Sequence, residues 1–130
     1  MYVLDTNTLI YFFKGLGNVA PRLLQTPPKD VAVSAIVLYE LEVGVAKSKS
    51  PKKRRNQLQS LVSVVTVIPF GPKEARSAAL IRARLEKKGE SIGPHDVLIA
   101  GTALAHRAVL VTHNTREFKR VRGLMLEDWY

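Results

Sequence analysis

Eleven acidic residues are spread through a chain that carries twenty basic ones, and few of the acids fall where they could do chemistry. In an open α/β sheet, ligands bind beyond the carboxyl ends of the strands, so an acid that ends a strand or opens the next helix is placed to meet substrate. Asp5 ends the apolar run that begins at Met1, Asp96 opens an apolar helix, and Glu117 follows the run Val109–Thr112 shortly after Asn114. Glu40 lies one to two turns into the helix after the second strand, with Ile36, Val37, Val43 and Gly44 on its own face. The other acids read differently. Glu74, Glu86 and Glu90 sit beside Lys or Arg as on a solvent face, Asp30 precedes a strand, and Glu127 and Asp128 lie near the exposed end.

A carboxylate among apolar residues is costly without a partner, because desolvation penalises its charged form, and several converging on one point repel. A divalent cation relieves both, and oxygen donors without cysteine favour Mg²⁺ or Mn²⁺ over zinc. One or two such ions, about 3.5–4 Å apart if two, activate a water for in-line attack on a phosphodiester and stabilise the leaving oxygen. Each acid also has a plainer role open to it. Asp5 and Asp96 read as helix caps, Glu40 as the partner of a buried Arg, and Glu117 as a surface acid between Arg116 and Lys119. Their joint placement is what points to a site, and spacing does not separate Glu40 from Glu42.

The elements that must position these acids alternate. A strand to Asp5 leads through Thr6, Asn7 and Thr8, which can cap a helix to about Lys14. Pro21, Pro27 and Pro28 bracket a loop or short helix before the strand Val31–Ser34, whose Ser34 caps a helix from Ala35 to Lys47. The basic run from Lys47 to Arg55 enters a helix with Leu58, Leu61 and Val62 as its apolar face, and Val64–Ile68 is the clearest strand. Pro72 starts a helix that lasts to Gly89, the loop 90–94 follows, and Val97 to His106 forms a helix apolar enough to be nearly surrounded. Val109–Thr112 reads as the final strand, with Asn114 capping a short helix through Lys119. Strands alternating with helices predict a parallel sheet with helices on both faces.

At 130 residues the chain fits one domain, 1–130, able to bury a sizeable core. Having no cysteine, it carries no disulfide scaffold, thiolate zinc site or cysteine nucleophile. No stretch has the length of a membrane span and the start lacks signal-peptide features, so the expected location is cytoplasmic, with no membrane partner. A net charge of +9 and an isoelectric point near 10.1 suit a polyanion partner, and nucleic acid heads the candidates. Lys47, Lys49, Lys52, Lys53, Arg54 and Arg55 are the candidate nucleic-acid contacts, against the alternative of a solvated helix start.

Four motifs in order, Leu4-Asp-Thr-Asn7, Ser34-Ala-Ile-Val-Leu-Tyr-Glu-Leu-Glu-Val-Gly44, Ile92-Gly-Pro-His-Asp-Val-Leu-Ile-Ala100 and Val111-Thr-His-Asn-Thr-Arg-Glu-Phe118, precede a closing Leu126-Glu-Asp-Trp129. Together they resemble the PIN-domain ribonucleases, specifically the VapC toxins of bacterial toxin–antitoxin pairs, over nearly the whole chain. The resemblance implies a three-layer α/β/α sandwich with a central parallel sheet, and RNA cleavage dependent on Mg²⁺ or Mn²⁺. It also implies a homodimer and a cognate VapB-type antitoxin, a segment of which lies over the active-site groove with a basic side chain toward the acids. Carried over by position, Asp5 and Asp96 would be the principal metal ligands, Glu40 a further acid and Glu117 a less regular fourth, with Thr6, Thr112 and Asn114 supporting. The motif prefers Glu40 to Glu42. Two departures stand out: His95 where relatives often have Asn, and His113 where Asn or Arg is common. The fourth position is shared between Asn114 and Glu117.

Other readings remain open at this level. His95 and His113 could act as a metal-independent acid–base pair that uses the 2′-hydroxyl of RNA. A non-catalytic basic RNA-binding module would bind in a salt-sensitive way and leave the RNA whole, although the chain has no aromatic-rich strand for stacking bases. The same carboxylate chemistry also cuts DNA, and the preference for RNA rests on the resemblance alone.

Overall fold

The computed structural model describes residues 1–130. Its strands are β1 (Tyr2–Leu4), β2 (Val31–Ser34), β3 (Thr66–Ile68), β4 (Val109–Val111) and β5 (Met125–Glu127). All pair in parallel, in the order β3-β2-β1-β4-β5. The helices are α1 (Thr6–Lys14), α2 (Val19–Gln25), α3 (Ala35–Lys47), α4 (Pro51–Val62), α5 (Pro72–Lys88), α6 (Pro94–Ala105) and α7 (Thr115–Phe118). From β1 the chain steps outward to β2 and β3, then returns to lay β4 on the far side of β1. With right-handed crossovers, α1 to α4 cover one face and α5 to α7 the other, which is the expected α/β/α sandwich. The reversal of direction opens a crevice beyond the carboxyl ends of β1 and β4.

The central strands are buried on both faces, which is why they read as continuous apolar runs rather than as alternation. The edges differ. The run expected as a strand from Val64 begins only at Thr66, because the N–H groups of Val64 and Val65 both turn back to the Leu61 carbonyl at the end of α4. Val109–Thr112 is not the last strand. Met125–Glu127 adds a fifth beside it, and the Glu127 carbonyl accepts the Thr112 N–H at 2.9 Å. Glu127 is therefore a sheet residue, bonded through its side chain to Arg22 and Trp129, rather than a loose terminal acid.

α6 starts at Pro94, three residues earlier than its apolar run, with proline suited to the first turn and Asp96 inside that turn. It packs on α5 so closely that a Cβ at Gly101 would lie 2.6 Å from the Ala78 Cβ. Glu74 also departs from expectation. It is buried, in line with Ala78, Ile81 and Leu85 on the inward stripe of α5. Its Oε1 accepts the Gly71 N–H at 2.9 Å and its Oε2 meets His106 Nε2 at 2.7 Å. Those bonds, Gly71 first, hold its carboxyl below the usual carboxylate range.

Candidate functional site

β1 delivers Asp5 into the crevice. Its backbone N–H still bonds the Val111 carbonyl of β4 at 2.9 Å, so the sheet itself fixes where the side chain emerges. Asp5, rather than Thr6 to Thr8, is the cap of α1: Oδ1 accepts the Thr6 N–H at 2.8 Å. Oδ2 accepts the Thr112 hydroxyl at 2.8 Å. The capping role and the site role thus use different oxygens of one carboxylate. The residue is only 6% exposed, and burial pushes its carboxyl above the usual range, with the Thr112 and Thr6 bonds opposing and Glu40 adding to the rise.

Ser34 ends β2 and caps α3 by accepting the Val37 N–H, and α3 then carries Glu40 toward the same crevice. Glu40 Oε1 accepts the Thr6 hydroxyl at 2.7 Å, and Oε2 stands 3.5 Å from His95 Nδ1. Glu42, two residues on, turns to Arg55 instead. Asp96 comes from the first turn of α6, where Gly93 rather than Asp96 holds the cap position. Its carboxyl is pushed up to about 6, by desolvation first and then by the charges of Asp5, Glu117 and Glu40, with His95 opposing. Glu117 hangs from α7, where its Oε2 takes the Asn114 amide at 3.2 Å. Asn114 occupies the cap position of α7 without capping through its side chain, and its own N–H bonds the Thr112 hydroxyl.

The end of β1 and the helices α3, α6 and α7 therefore bring Asp5, Glu40, Asp96 and Glu117 within mutual electrostatic reach, with Thr6, Thr112 and Asn114 as donors to Asp5, Glu40 and Glu117. No three of the acidic or histidine side chains are drawn together as a ready-made ligand set. Asp5, Glu40 and Glu117 each take a donor from the chain, whereas no hydrogen bond reaches the Asp96 carboxylate. The donor set is carboxylate and hydroxyl oxygen, which suits a hard, octahedral cation such as Mg²⁺ or Mn²⁺.

The two flanking imidazoles do not touch each other. His95 meets Glu40 and the edge of Tyr39, whereas His113 Nδ1 bonds Asp128 at 2.9 Å and its ring stacks on Tyr130. That arrangement does not fit an acid–base pair. Tyr39 is not singled out by the sequence and lies exposed beside Glu40, and Asp128, expected only as an acid near the exposed end, is brought to His113 by the segment after β5. Within the basic run, Lys47, Lys49, Lys52 and Lys53 are exposed, while Arg55 pairs with Glu42 and Arg54 donates to Gln57 at 2.9 Å. A groove of about 300 Å³ runs from Glu40 between α1 and the α3–α4 pair, with Ile10, Phe13, Leu41 and Val45 in its apolar lining.

Comparison with known proteins gives a consistent answer. Residues 2–124 match the family model described as PIN domain. The chain is 39% identical to "Ribonuclease VapC2" of Rickettsia felis, covering 99% of this chain and 98% of that one. It is 34% identical to the "tRNA(fMet)-specific endonuclease VapC" of Salmonella typhimurium, over 98% of this chain and 97% of the relative. Among solved structures, VapBC2 from Rickettsia felis bound to a promoter DNA fragment superposes with a TM-score of 0.91 at 39% identity, over 99% of this chain and 98% of that one.

Proposed function

The chain belongs to the PIN-domain family and is a VapC-type ribonuclease toxin of a toxin–antitoxin system; from that premise we propose that it hydrolyses RNA with the help of a divalent cation held by Asp5 and Asp96. The observation that carries the reading is Asp96, a partly buried carboxylate whose neighbours Asp5, Glu117 and Glu40 all oppose its charge. Ionising such a cluster is opposed from within it, and a cation bound among the acids would relieve that opposition.

Mg²⁺ is the cation expected, with Mn²⁺ as a substitute, and when bound it lowers the pKa of a water and stabilises charge on the leaving oxygen. The chain supplies the rest. Thr112 and Thr6 orient both oxygens of Asp5, and Thr6 also fixes Glu40, so one short turn sets the spacing of two acids. Glu117 keeps one oxygen on Asn114, leaving the other free to accept a proton from the attacking water.

A transfer RNA is the first substrate to test, because the Salmonella relative is named for one. The relatives' VapBC complexes support a VapB-type antitoxin as partner, and the apolar groove that ends at Glu40 would receive its inhibitory segment, with a basic side chain on the acid. A homodimer belongs to the same proposal. A second groove of about 500 Å³ on the α5–α6 face, lined by Phe70, Leu85, Ile92 and Leu98, offers apolar surface for it.

The deciding experiment incubates the purified protein with total transfer RNA in Mg²⁺ and in EDTA, beside Asp5→Ala and Asp96→Ala. Cleavage that needs the metal and both aspartates, leaving 5′-phosphate ends, is expected. RNA bound but intact in every condition, with folded protein free of antitoxin, would overturn the enzyme and leave a binding module.

A further inference from the structure

We propose that Arg116, Lys119 and Arg122 form one cationic row that grips the phosphate backbone of the RNA strand beside the carboxylates; the proposal rests on the ribonuclease reading above. α7 does not end as an α-helix. After Glu117 the backbone tightens: the Arg120 N–H bonds the Glu117 carbonyl, Val121 bonds Phe118, and Leu124 bonds Val121, each reaching back three residues. With three residues per turn, side chains at i and i+3 eclipse.

Burial follows that period from 116 to 122. Phe118 and Val121 are buried, Glu117 and Arg120 are intermediate, and Arg116, Lys119 and Arg122 are exposed. The inward row pins the segment to the core. The middle row faces the site: Glu117 joins the acid cluster, and Arg120 bonds the Ser91 carbonyl in the loop that leads to Asp96. The outward row is wholly cationic.

None of the three makes an ion pair; the pairs in the molecule use Arg22, Arg55, Arg82, His95, His106 and His113. The longer run at Lys47–Arg55 spends Arg55 on Glu42 and Arg54 on Gln57 and keeps Lys47, Lys49, Lys52 and Lys53 exposed, but it carries no member of the acid cluster, whereas Arg116 adjoins Glu117. A row of unneutralised charges beside an acidic cleft fits a phosphate backbone that is held sequence-independently while the cleft acts on one bond.

The test measures binding of a single-stranded oligoribonucleotide by the Asp5→Asn protein without metal, so it does not depend on cleavage. On that background Arg116→Gln/Lys119→Gln/Arg122→Gln should weaken binding about tenfold and flatten the log Kd against log salt slope by about 2. Lys52→Gln/Lys53→Gln should have a smaller effect, and the triple Arg116→Lys/Lys119→Arg/Arg122→Lys should bind as the parent does. Circular dichroism melts confirm that each variant is folded. An unchanged slope in the folded triple Gln variant, or a larger loss from the Lys52/Lys53 pair, overturns the row. Absence of metal-dependent cleavage by the wild-type protein would instead fail the ribonuclease mechanism and leave the binding result standing.

Discussion

Helix α6 brings a charged or polar group into the protein at each end, and the two ends are built oppositely. At its C-terminus His106 meets Glu74, whose other oxygen takes the Gly71 N–H. That carboxyl is held below its usual range by donors that belong to the chain. At its N-terminus Asp96 has the favourable end of the helix dipole, yet its carboxyl is pushed up to about 6, because desolvation and three like charges outweigh that benefit. The difference lies in what each acid faces. A carboxylate whose partners are all inside the chain fastens α5 to α6, whereas one surrounded by its own kind is left for a ligand to complete.

The sharpest test of that contrast removes one charge at a time. Asp96→Asn should lower RNA cleavage on the order of 10²–10³-fold or more, as expected when a group that stabilises the reacting charge is lost, and should melt above the wild type in EDTA at neutral pH. Glu74→Gln should do the reverse, melting lower while the folded fraction keeps its turnover. Initial rates and scanning calorimetry on the same preparations read both quantities. A destabilised Asp96→Asn, or an inactive but folded Glu74→Gln, would break the distinction between the two ends.

A smaller effect is expected midway along α6, where the helix is set against α5. Gly101→Ala places a Cβ 2.6 Å from the Ala78 Cβ and 2.7 Å from its backbone N. Backbone cannot swing aside as a flexible side chain can, so overpacking should cost about 1–3 kcal/mol. Adding Ala78→Gly removes only the Cβ contact and should recover only part of the loss in denaturant titrations. Full recovery, or no loss at all, would show that α6 can shift on α5 and that its two ends are not rigidly spaced.

How far the sequence foretold this contrast depends on the range of the interactions. The central strands, the Ser34 cap and the proline starts of α5 and α6 follow from local residue type, and local structure obeys it. The strand-end rule also singles out Asp5, Asp96 and Glu117 from sequence position alone. Glu74 was misplaced because Lys73 and Arg76 flank it in sequence, although Glu74, Ala78, Ile81 and Leu85 keep helical spacing and mark it as inward. Its partner His106 is 32 residues away and invisible to any window. β5 was missed because a three-residue edge strand carries little signal of its own and exists through its pairing with β4. The choice of Glu40 over Glu42 needed the family motif, since only the fold reveals that Glu42 turns to Arg55.

The smallest expected effect is a difference in how the two ends of α6 respond to pH. Asp96 titrates near 6 when folded against 3.8 when not, so between those values the folded state binds more protons, and metal-free stability falls as pH rises from about 4 to about 6. The full shift would correspond to about 3 kcal/mol at roughly 1.4 per unit, and because Asp96 is only partly buried, water screens this to about 1–2 kcal/mol. Glu74 has the opposite sign: its lowered value contributes stability that is present above the usual carboxylate range and is lost as pH falls through it. Denaturant titrations of wild type and Asp96→Asn in EDTA should therefore diverge as pH rises through this window and converge near pH 4. Mg²⁺ should close the gap at pH 7, by compensating the charges that Asp5, Glu40 and Glu117 set against Asp96, and should do little near pH 4, where Asp96 is protonated. Parallel curves throughout would mean that Asp96 is as well satisfied within the chain as Glu74, and the reason for placing a cation between it and Asp5 would be gone.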